Sequence, residues 1–275
     1  MFLLKCNITD IHTHILPGID DGCRNLEESL ALVRSFLEQG ISEVIATPHY
    51  RNRAYLGDAG PIVEAYNTLC DAIRNTEFAL TAGTFKLHLG QELHYTESLP
   101  ELLENGTCLT LAGSHYVLIE FANEAPYEEI YRGMRRIIEA GYTPILAHME
   151  RCIFLDGEYA ARSGTTHHAG KAGHAHKNVR ELRKLGCRMQ MNYDSLYYEK
   201  ETFFTRFFDK EVKRCRKLIQ EGLIDLLATD AHSPSFRPPN TKPAIDWLTQ
   251  TLSQKEIERL TDINPKNIIG DNKLI

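Results

Sequence analysis

Several features are scarce in this 275-residue sequence, and each scarcity excludes a class of protein. No apolar run approaches the roughly 18 residues that a membrane span requires, so no direct membrane insertion is expected. The opening MFLLKCNITDIHTH turns polar too soon for a secretory signal, which makes the cytoplasm the expected compartment. There is no Cys-x-x-Cys pair. The seven cysteines (Cys6, Cys23, Cys70, Cys108, Cys152, Cys187 and Cys215) are odd in number and widely dispersed, which speaks against a disulfide framework or a structural zinc knot. They read as reduced thiols serving mostly as small apolar groups. Positive charge is not in surplus either: 31 basic against 37 acidic residues leave a net charge of -6 and advertise no nucleic-acid surface. No stretch resembles an interdomain linker, and the chain is long enough to bury a large core, so one domain over residues 1–275 is expected.

What is present is an alternation of short apolar runs with longer amphipathic ones. Strands are expected at LLKCNI (3–8), ISEVIAT (41–47), FKLHLGQEL (85–93), HYVLIEF (115–121), YTPILAH (142–148), CRMQMN (187–192) and IDLLATD (224–230). Helices are expected over 25–40, 61–75, 98–104, 126–141, 178–185 and 203–221, with two or three short ones between 241 and 270. In the first helix Asn25 can cap, Glu28 stands at the capping-box position and Gly40 can terminate. Its apolar stripe of Leu26, Leu30, Val33 and Leu37 should face inward. This alternation predicts parallel pairing in a barrel or an open α/β sheet. One segment breaks the rhythm: residues 156–177, DGEYAARSGTTHHAGKAGHAHK, lack an apolar period and predict a flexible insertion rich in His, Gly and Ala. Its His167, His168, His174 and His176 either hold a metal, cover an anionic substrate, or ride on an exposed loop.

Metal-capable groups gather where the apolar runs stop. In DIHTHILPGIDDG, His12 and His14 are two residues apart, so an extended backbone turns both to one side. Asp230 and His232 repeat that spacing after LLAT. His49 follows EVIATP, Glu92 follows KLHLGQ, Glu120 follows YVLI and His148 follows TPILA. A lone histidine at a strand end is most often a hydrogen-bonded structural residue, but here eight residues obey one positional rule. In a barrel, C-terminal strand ends converge on one rim, so groups distant in sequence can meet there. Zinc accepts imidazole nitrogen and carboxylate oxygen, and manganese and iron use the same groups. The surplus over one four-coordinate site implies two or three divalent ions with at least one bridging carboxylate.

In order, DIHTHILPGIDDG, ATPHY, GQELHY, YVLIEF, ILAHMER and ATDAHS resemble the motifs of the polymerase and histidinol phosphatase (PHP) superfamily. More narrowly, LPGIDDG, HMER and the late RPP resemble its branch of bacterial manganese-dependent protein tyrosine phosphatases of capsule and exopolysaccharide systems. The resemblance implies a distorted TIM-like (β/α)7 barrel with Mn2+, or alternatively Fe or Zn, at its C-terminal rim. It implies a first ion on His12, His14, Asp230 and a bridging Glu92. It further implies a second on Glu120 and His148 with Glu92 between, and a third on Asp21, His49 and His232. Arg151 in HMER and Arg237 in FRPP match residues that hold the substrate phosphate, a role suited to the paired donors of a guanidinium. The implied reaction is hydrolysis of phosphotyrosine on a protein, and the implied partner is the Tyr-rich tail of a membrane-associated bacterial tyrosine kinase. His49, or a water near Asp21, would supply the leaving-group proton.

Three rivals follow from the same residues. A PHP-type enzyme acting on a small phosphomonoester, such as histidinol phosphate or a sugar phosphate, would use the same metal chemistry. A catalytically silent scaffold would not need the full ligand set. A cysteine phosphatase needs a thiolate in a Cys-x5-Arg cradle, and Cys23, Cys152 and Cys215 each adjoin an arginine without that loop. Arg51 and Arg53, beyond His49, either attract a phosphorylated acidic tail or form a solvated basic turn.

Overall fold

The computed structural model describes residues 7–50, 59–76, 85–155, 176–198 and 210–275. Arg51 and Arg53, and all of the 156–177 segment except His176 and Lys177, lie outside the described residues. Nine short strands are found among those described: β1 (Ile8–Thr13), β2 (Ile41–Ala46), β3 (His49–Tyr50), β4 (Lys86–Leu89), β5 (Glu92–His94), β6 (Tyr116–Glu120), β7 (Thr143–Leu146), β8 (Arg188–Asn192) and β9 (Leu226–Ala228). Every pairing is parallel.

Two of the barrel's staves are broken in the middle. β2 and β3 are one stave interrupted at Thr47 and Pro48, where the proline has no N–H to give the ladder. β4 and β5 are another, interrupted at Gly90 and Gln91, and a Cβ at Gly90 would lie 2.9 Å from Leu111 Cδ2. Backbone bonds carry the ladder across both breaks: Thr47 N–H to Thr13 O at 2.8 Å, Gly90 N–H to Ala46 O at 2.8 Å and Glu92 N–H to Pro48 O at 3.1 Å. Nine strands thus make seven staves. The ring closes between β1 and the residues after β9, through a parallel bridge of Thr13 with Ala231. There Asp230 N–H reaches His12 O at 2.9 Å and His14 N–H reaches Ala231 O at 2.8 Å. The expected parallel barrel is found, with the expected number of staves.

Residues 3–6 of the strand expected at 3–8 lie outside the described residues. Among those described, β1 runs from Ile8 to Thr13, all six residues buried. Its polar members find partners inside the barrel: the Asp10 carboxylate accepts from Thr229 N–H at 3.1 Å and from the Thr229 hydroxyl. Thr13 Oγ1 donates to Ala231 O at 2.9 Å. Satisfied polar groups let a mixed sequence occupy a central stave, and the ligand motif consequently lies within β1 and just past its end.

Around the ring stand α1 (Leu26–Glu38), α2 (Gly60–Arg74), α3 (Leu99–Glu104), α4 (Tyr127–Glu139), α5 (Lys177–Leu185), α6 (Lys210–Gln220), α7 (Lys242–Thr251), α8 (Gln254–Glu258) and α9 (Asn264–Ile269). Asn25 caps α1 as expected, its Oδ1 accepting from Glu28 N–H at 3.0 Å, while the Glu28 carboxylate turns back to Arg24 N–H rather than closing a box on Asn25. Gly40, with φ +79°, ends the helix where a side chain would be strained. Outward faces of the staves, including Val44, Val117, Ile119, Leu146 and Met189, pack on helical Leu32, Phe36, Ile130, Ile137 and Leu182. The barrel interior holds Ile11, Ile45, Leu118, Ile145 and Leu226, and Ile268 and Leu274 of the last segment join it. Each such fully buried side chain contributes about 1.5–3 kcal/mol. No helix among the described residues is long and apolar enough to cross a membrane.

Candidate metal centre

The two imidazoles of β1 set the centre. His12 and His14 are fully buried. Their Nε2 atoms both lie 3.3 Å from Glu92 Oε2, and they lie 3.5 and 3.3 Å from Asp230 Oδ1. Glu92 opens β5 directly after the break at Gly90, so the interruption delivers its carboxylate to the barrel axis. From the far side His148 Nε2 reaches Glu92 Oε1 at 2.7 Å and stands 3.9 Å from Glu120 Oε2. His49 Nδ1 lies 3.0 Å from Glu92 Oε2 and 3.6 Å from Glu120 Oε1. Its Nε2 faces Asp21 Oδ1 at 3.4 Å, and that oxygen is 3.7 Å from His232 Nε2. All nine residues expected as ligands therefore meet in one cluster.

Three sets of these groups are compact enough to hold one ion each: His12 with His14 and Glu92; His49 with Glu92 and Glu120; and His14 with Asp21, His49 and His232. The sets overlap at His14, His49 and Glu92, so neighbouring ions would share ligands. The donors fit divalent metal on their own chemistry. His12 Nε2, His14 Nε2 and Glu92 Oε2 are buried, point at one another and form no well-aligned hydrogen bond. Burial alone would raise the pKa of Glu92, but the charge of His12 and the contacts of His12, His14 and His148 hold it well below the carboxylate range. Asp230 is likewise held down against its burial, by His12 and His14. The His14 imidazole is raised well above its ordinary value, its burial outweighed by Asp20, Asp230 and Glu92. Buried anions such as these demand compensating positive charge, which divalent cations would supply.

Three residues that the sequence did not single out hold the ligands in place. Asp20 Oδ2 accepts from His14 Nδ1 at 2.7 Å and from His49 N–H at 2.9 Å, while its Oδ1 accepts from Gly22 N–H at 3.0 Å. Burial pushes Asp20 upward, but His14 and these amides prevail and bring it to about 2. Gly22 must be glycine: a Cβ there would sit 2.0 Å from His14 O. Gln190 lies on β8 between Met189 and Met191, which face the helices, so its amide points inward. Its Oε1 accepts from His148 N–H at 2.8 Å and pairs with His12 Nδ1 at 3.1 Å, while its Nε2 donates to Asn192 Oδ1 at 2.8 Å. Because Oε1 also accepts from the His148 amide, His12 carries a proton on Nδ1 and turns Nε2 to the centre. His94, two residues beyond Glu92 on β5, brings Nδ1 to 3.4 Å from Glu120 Oε1. The alternation that marked His12 and His14 also pointed to His94. The pairing of Asp20 with Asp21 was a weaker sign, and Gln190 carried no sign at all.

Both arginines stand at the mouth, about one-third exposed. Arg151 Nη2 donates to Asp230 Oδ2 at 2.8 Å, and Arg237 donates to the same oxygen. Asp230 thus turns one oxygen to the imidazoles and the other to two guanidinium groups. Arg237 Nη1 also donates to His232 Nε2 at 2.9 Å, the lone pair that a third ion would use, so arginine and ion compete there. His232 Nδ1 donates to Asp230 O at 2.8 Å, and burial together with the charge of His14 lowers His232 to about 4. His148, Asp230 and Arg237 have φ of 29°, 52° and 54°, half of the non-glycine residues with positive φ among those described. Backbone strain held by surrounding structure is concentrated at this rim.

Two other expectations concern thiols and the insertion. Burial pushes the Cys23 and Cys152 thiols up to about 12 and raises Cys215 as well, so none is poised as a thiolate nucleophile. His176 is buried at the start of α5 with φ 62° and belongs to none of the three ion-sized sets. His167, His168 and His174 lie outside the described residues.

A seven-stave parallel barrel with a polynuclear His/Asp/Glu centre and two arginines at its mouth defines a metal-dependent phosphatase of the PHP type. The family described as capsular polysaccharide synthesis, CpsB/CapC, matches residues 8–164 and 169–270, and the chain belongs to it. Tyrosine-protein phosphatase CpsB of Streptococcus pneumoniae is 30% identical over 262 residues, covering 95% of this chain and 98% of the relative. Tyrosine-protein phosphatase YwqE of Bacillus subtilis (strain 168) is 28% identical over 260 residues, covering 92% and 88%. A solved structure described as one of the "unique metal-dependent tyrosine phosphatases" YwqE and CpsB shares the fold. It matches with a TM-score of 0.76 at 23% sequence identity, over 98% of this chain and 96% of that one.

Proposed function

We propose that this chain is a cytoplasmic, metal-dependent protein tyrosine phosphatase. Its substrate is the Tyr-rich tail of a membrane-associated tyrosine kinase that governs capsule or exopolysaccharide synthesis. The observation that carries this reading is Asp230, whose two oxygens join the imidazole cluster to Arg151 and Arg237. The names of the curated relatives support the phosphotyrosine substrate. The whole of residues 1–275 acts as one catalytic domain.

The proposed ligands are His12, His14, Glu92 and Asp230 for one ion, Glu92, Glu120 and His148 for a second, and Asp21, His49 and His232 for a third. Mn2+ is the proposed occupant, and Fe or Zn can use the same donors. Divalent ions bound by these residues would supply activation of a water nucleophile and would offset charge on the phosphate oxygens. The chain's own groups do the rest. Arg151 and Arg237 exchange Asp230 for the phosphate, giving paired, charge-assisted hydrogen bonds to its oxygens. Glu92 and Asp20 keep His14 aimed at the centre, and Gln190 does the same for His12. A phenol leaving group of pKa about 10 needs only modest proton assistance. Either His49 or a water held near the exposed Asp21 would supply that proton to the phenolate oxygen.

The test uses the full chain loaded with Mn2+. Phosphotyrosine-peptide turnover is expected to disappear on chelation and to return with metal, and His148→Ala should lower both bound metal and turnover. Unchanged turnover in His148→Ala would sink the proposed centre. A higher kcat/KM for histidinol phosphate or a sugar phosphate than for the peptide would replace the protein substrate with a small one.

A further inference from the structure

We propose that Phe236 is the wall against which the phenyl ring of phosphotyrosine rests, making it a specificity-determining residue for aryl over alkyl phosphomonoesters. The inference deepens the phosphotyrosine reading and rests on it.

Phe236 is one of three large hydrophobic side chains exposed among the described residues, at 61%. A single exposed apolar residue is ordinary on any surface, so exposure alone says nothing. Its position does. Phe236 lies between the turn that follows His232 and the arginine proposed to hold phosphate. Ser233 N–H bonds to Phe236 O at 3.0 Å, Phe236 N–H to Ser233 Oγ at 3.0 Å, and His232 N–H to Arg237 O at 3.0 Å. Ser233 Oγ also donates to Phe236 O at 3.3 Å. The ring therefore rises from a fixed base at the rim. It meets the buried imidazole of His232 edge to face, centroids 6.3 Å apart at 87°. Much of its surface is left open, and the guanidinium of Arg237 adjoins the same imidazole through Nη1 at 2.9 Å.

The chemistry follows from where a phosphate would sit. With its oxygens on Arg151 and Arg237, the ester oxygen and its substituent must leave through the open mouth. A phenyl substituent is rigid and flat, and it can lie against Phe236 at the centroid separations of roughly 4.5–7 Å that aromatic pairs favour. A serine or sugar phosphate has no ring to offer. Because the turn is pre-formed by its own hydrogen bonds, little ordering opposes the contact.

The experiment measures binding of phenylphosphonate and ethylphosphonate to the full, Mn2+-loaded chain by calorimetry. Neither compound requires turnover. Phe236→Ala is expected to weaken phenylphosphonate by about 3- to 10-fold, the size of one aromatic pair contact, with ethylphosphonate much less affected. Phe236→Tyr, which keeps the ring, should restore the preference. Equal weakening of both ligands would reduce Phe236 to support for the turn and overturn the proposal. So would an unchanged preference in Phe236→Ala. Phosphotyrosine-peptide turnover by the unsubstituted chain is followed in parallel. Its absence alongside an intact phenyl preference would sink the phosphatase reading while leaving the aryl wall standing.

Discussion

The two ends of the barrel both bury carboxylates, and they neutralise them in opposite ways. At the N-terminal end Asp225 precedes β9, with its side chain 1% exposed. Arg183 grips both of its oxygens at 3.0 and 3.3 Å, Arg188 stands at 3.6 Å and Met189 N–H donates at 3.0 Å. Every demand of that charge is met by fixed donors. At the C-terminal rim Glu92 and Asp230 face His12 and His14, whose Nε2 atoms lack well-aligned bonds, and the guanidinium groups there are about one-third exposed. A satisfied buried charge organises the fold. A buried charge left to be completed by something else marks the place where chemistry happens.

Four experiments break or sharpen that contrast. Glu92→Gln removes the carboxylate shared by two of the three ion-sized sets. Bound Mn2+ should fall and turnover should drop more than about 100-fold, beyond the 10- to 100-fold usual for residues that only orient ligands. Asp225→Ala should do the reverse. It strands Arg183 and lowers stability to denaturant by about 3 kcal/mol, the low end of the range for a broken buried pair because Arg183 is partly exposed. Metal content per folded molecule should stay constant. If Asp225→Ala lost metal while the fold survived, the two ends would not be independent.

Gln190→Leu tests whether one amide oxygen serves two ligands. Loss of the acceptor for His12 Nδ1 and His148 N–H should weaken Mn2+ binding about 10- to 100-fold in a calorimetric titration. Gln190→Glu keeps an acceptor oxygen and should recover part of it. Equal affinities for the Leu variant and the unsubstituted chain would remove Gln190 from the centre. The smallest effect is expected for Cys152→Ala and Cys215→Ala, whose buried, high-pKa thiols take no part in turnover. Abolished activity in either, at matched folded concentration, would reinstate a cysteine nucleophile.

Legibility in the sequence tracked the range of the interaction. Helix α1 was readable because Asn25, its apolar stripe and Gly40 act within a turn or two of one another. Eight of the nine expected ligands were readable because each stands at or near the C-terminal end of an apolar run, where a strand hands over to a loop; Asp21 was legible only through the family resemblance. That β1 extends through Asp10 to Thr13 was not legible from hydrophobicity, because those polar residues are satisfied by partners more than 200 residues away. Gln190 was invisible for the same reason: an inward glutamine between two methionines acquires meaning only when His12 and His148 lie against it.

By itself the order of residues determined which side chains can bind metal, on which staves they ride and toward which end, since alternation and helix capping are local geometry. Tertiary structure alone decided which of them stand close enough to share an ion, that Arg237 bonds the Nε2 of His232, and that Asp230 divides its oxygens between imidazole and guanidinium. Those outcomes depend on distances across the ring, set by the closure of β1 on β9 and by the breaks at Pro48 and Gly90, and no spacing along the chain encodes them.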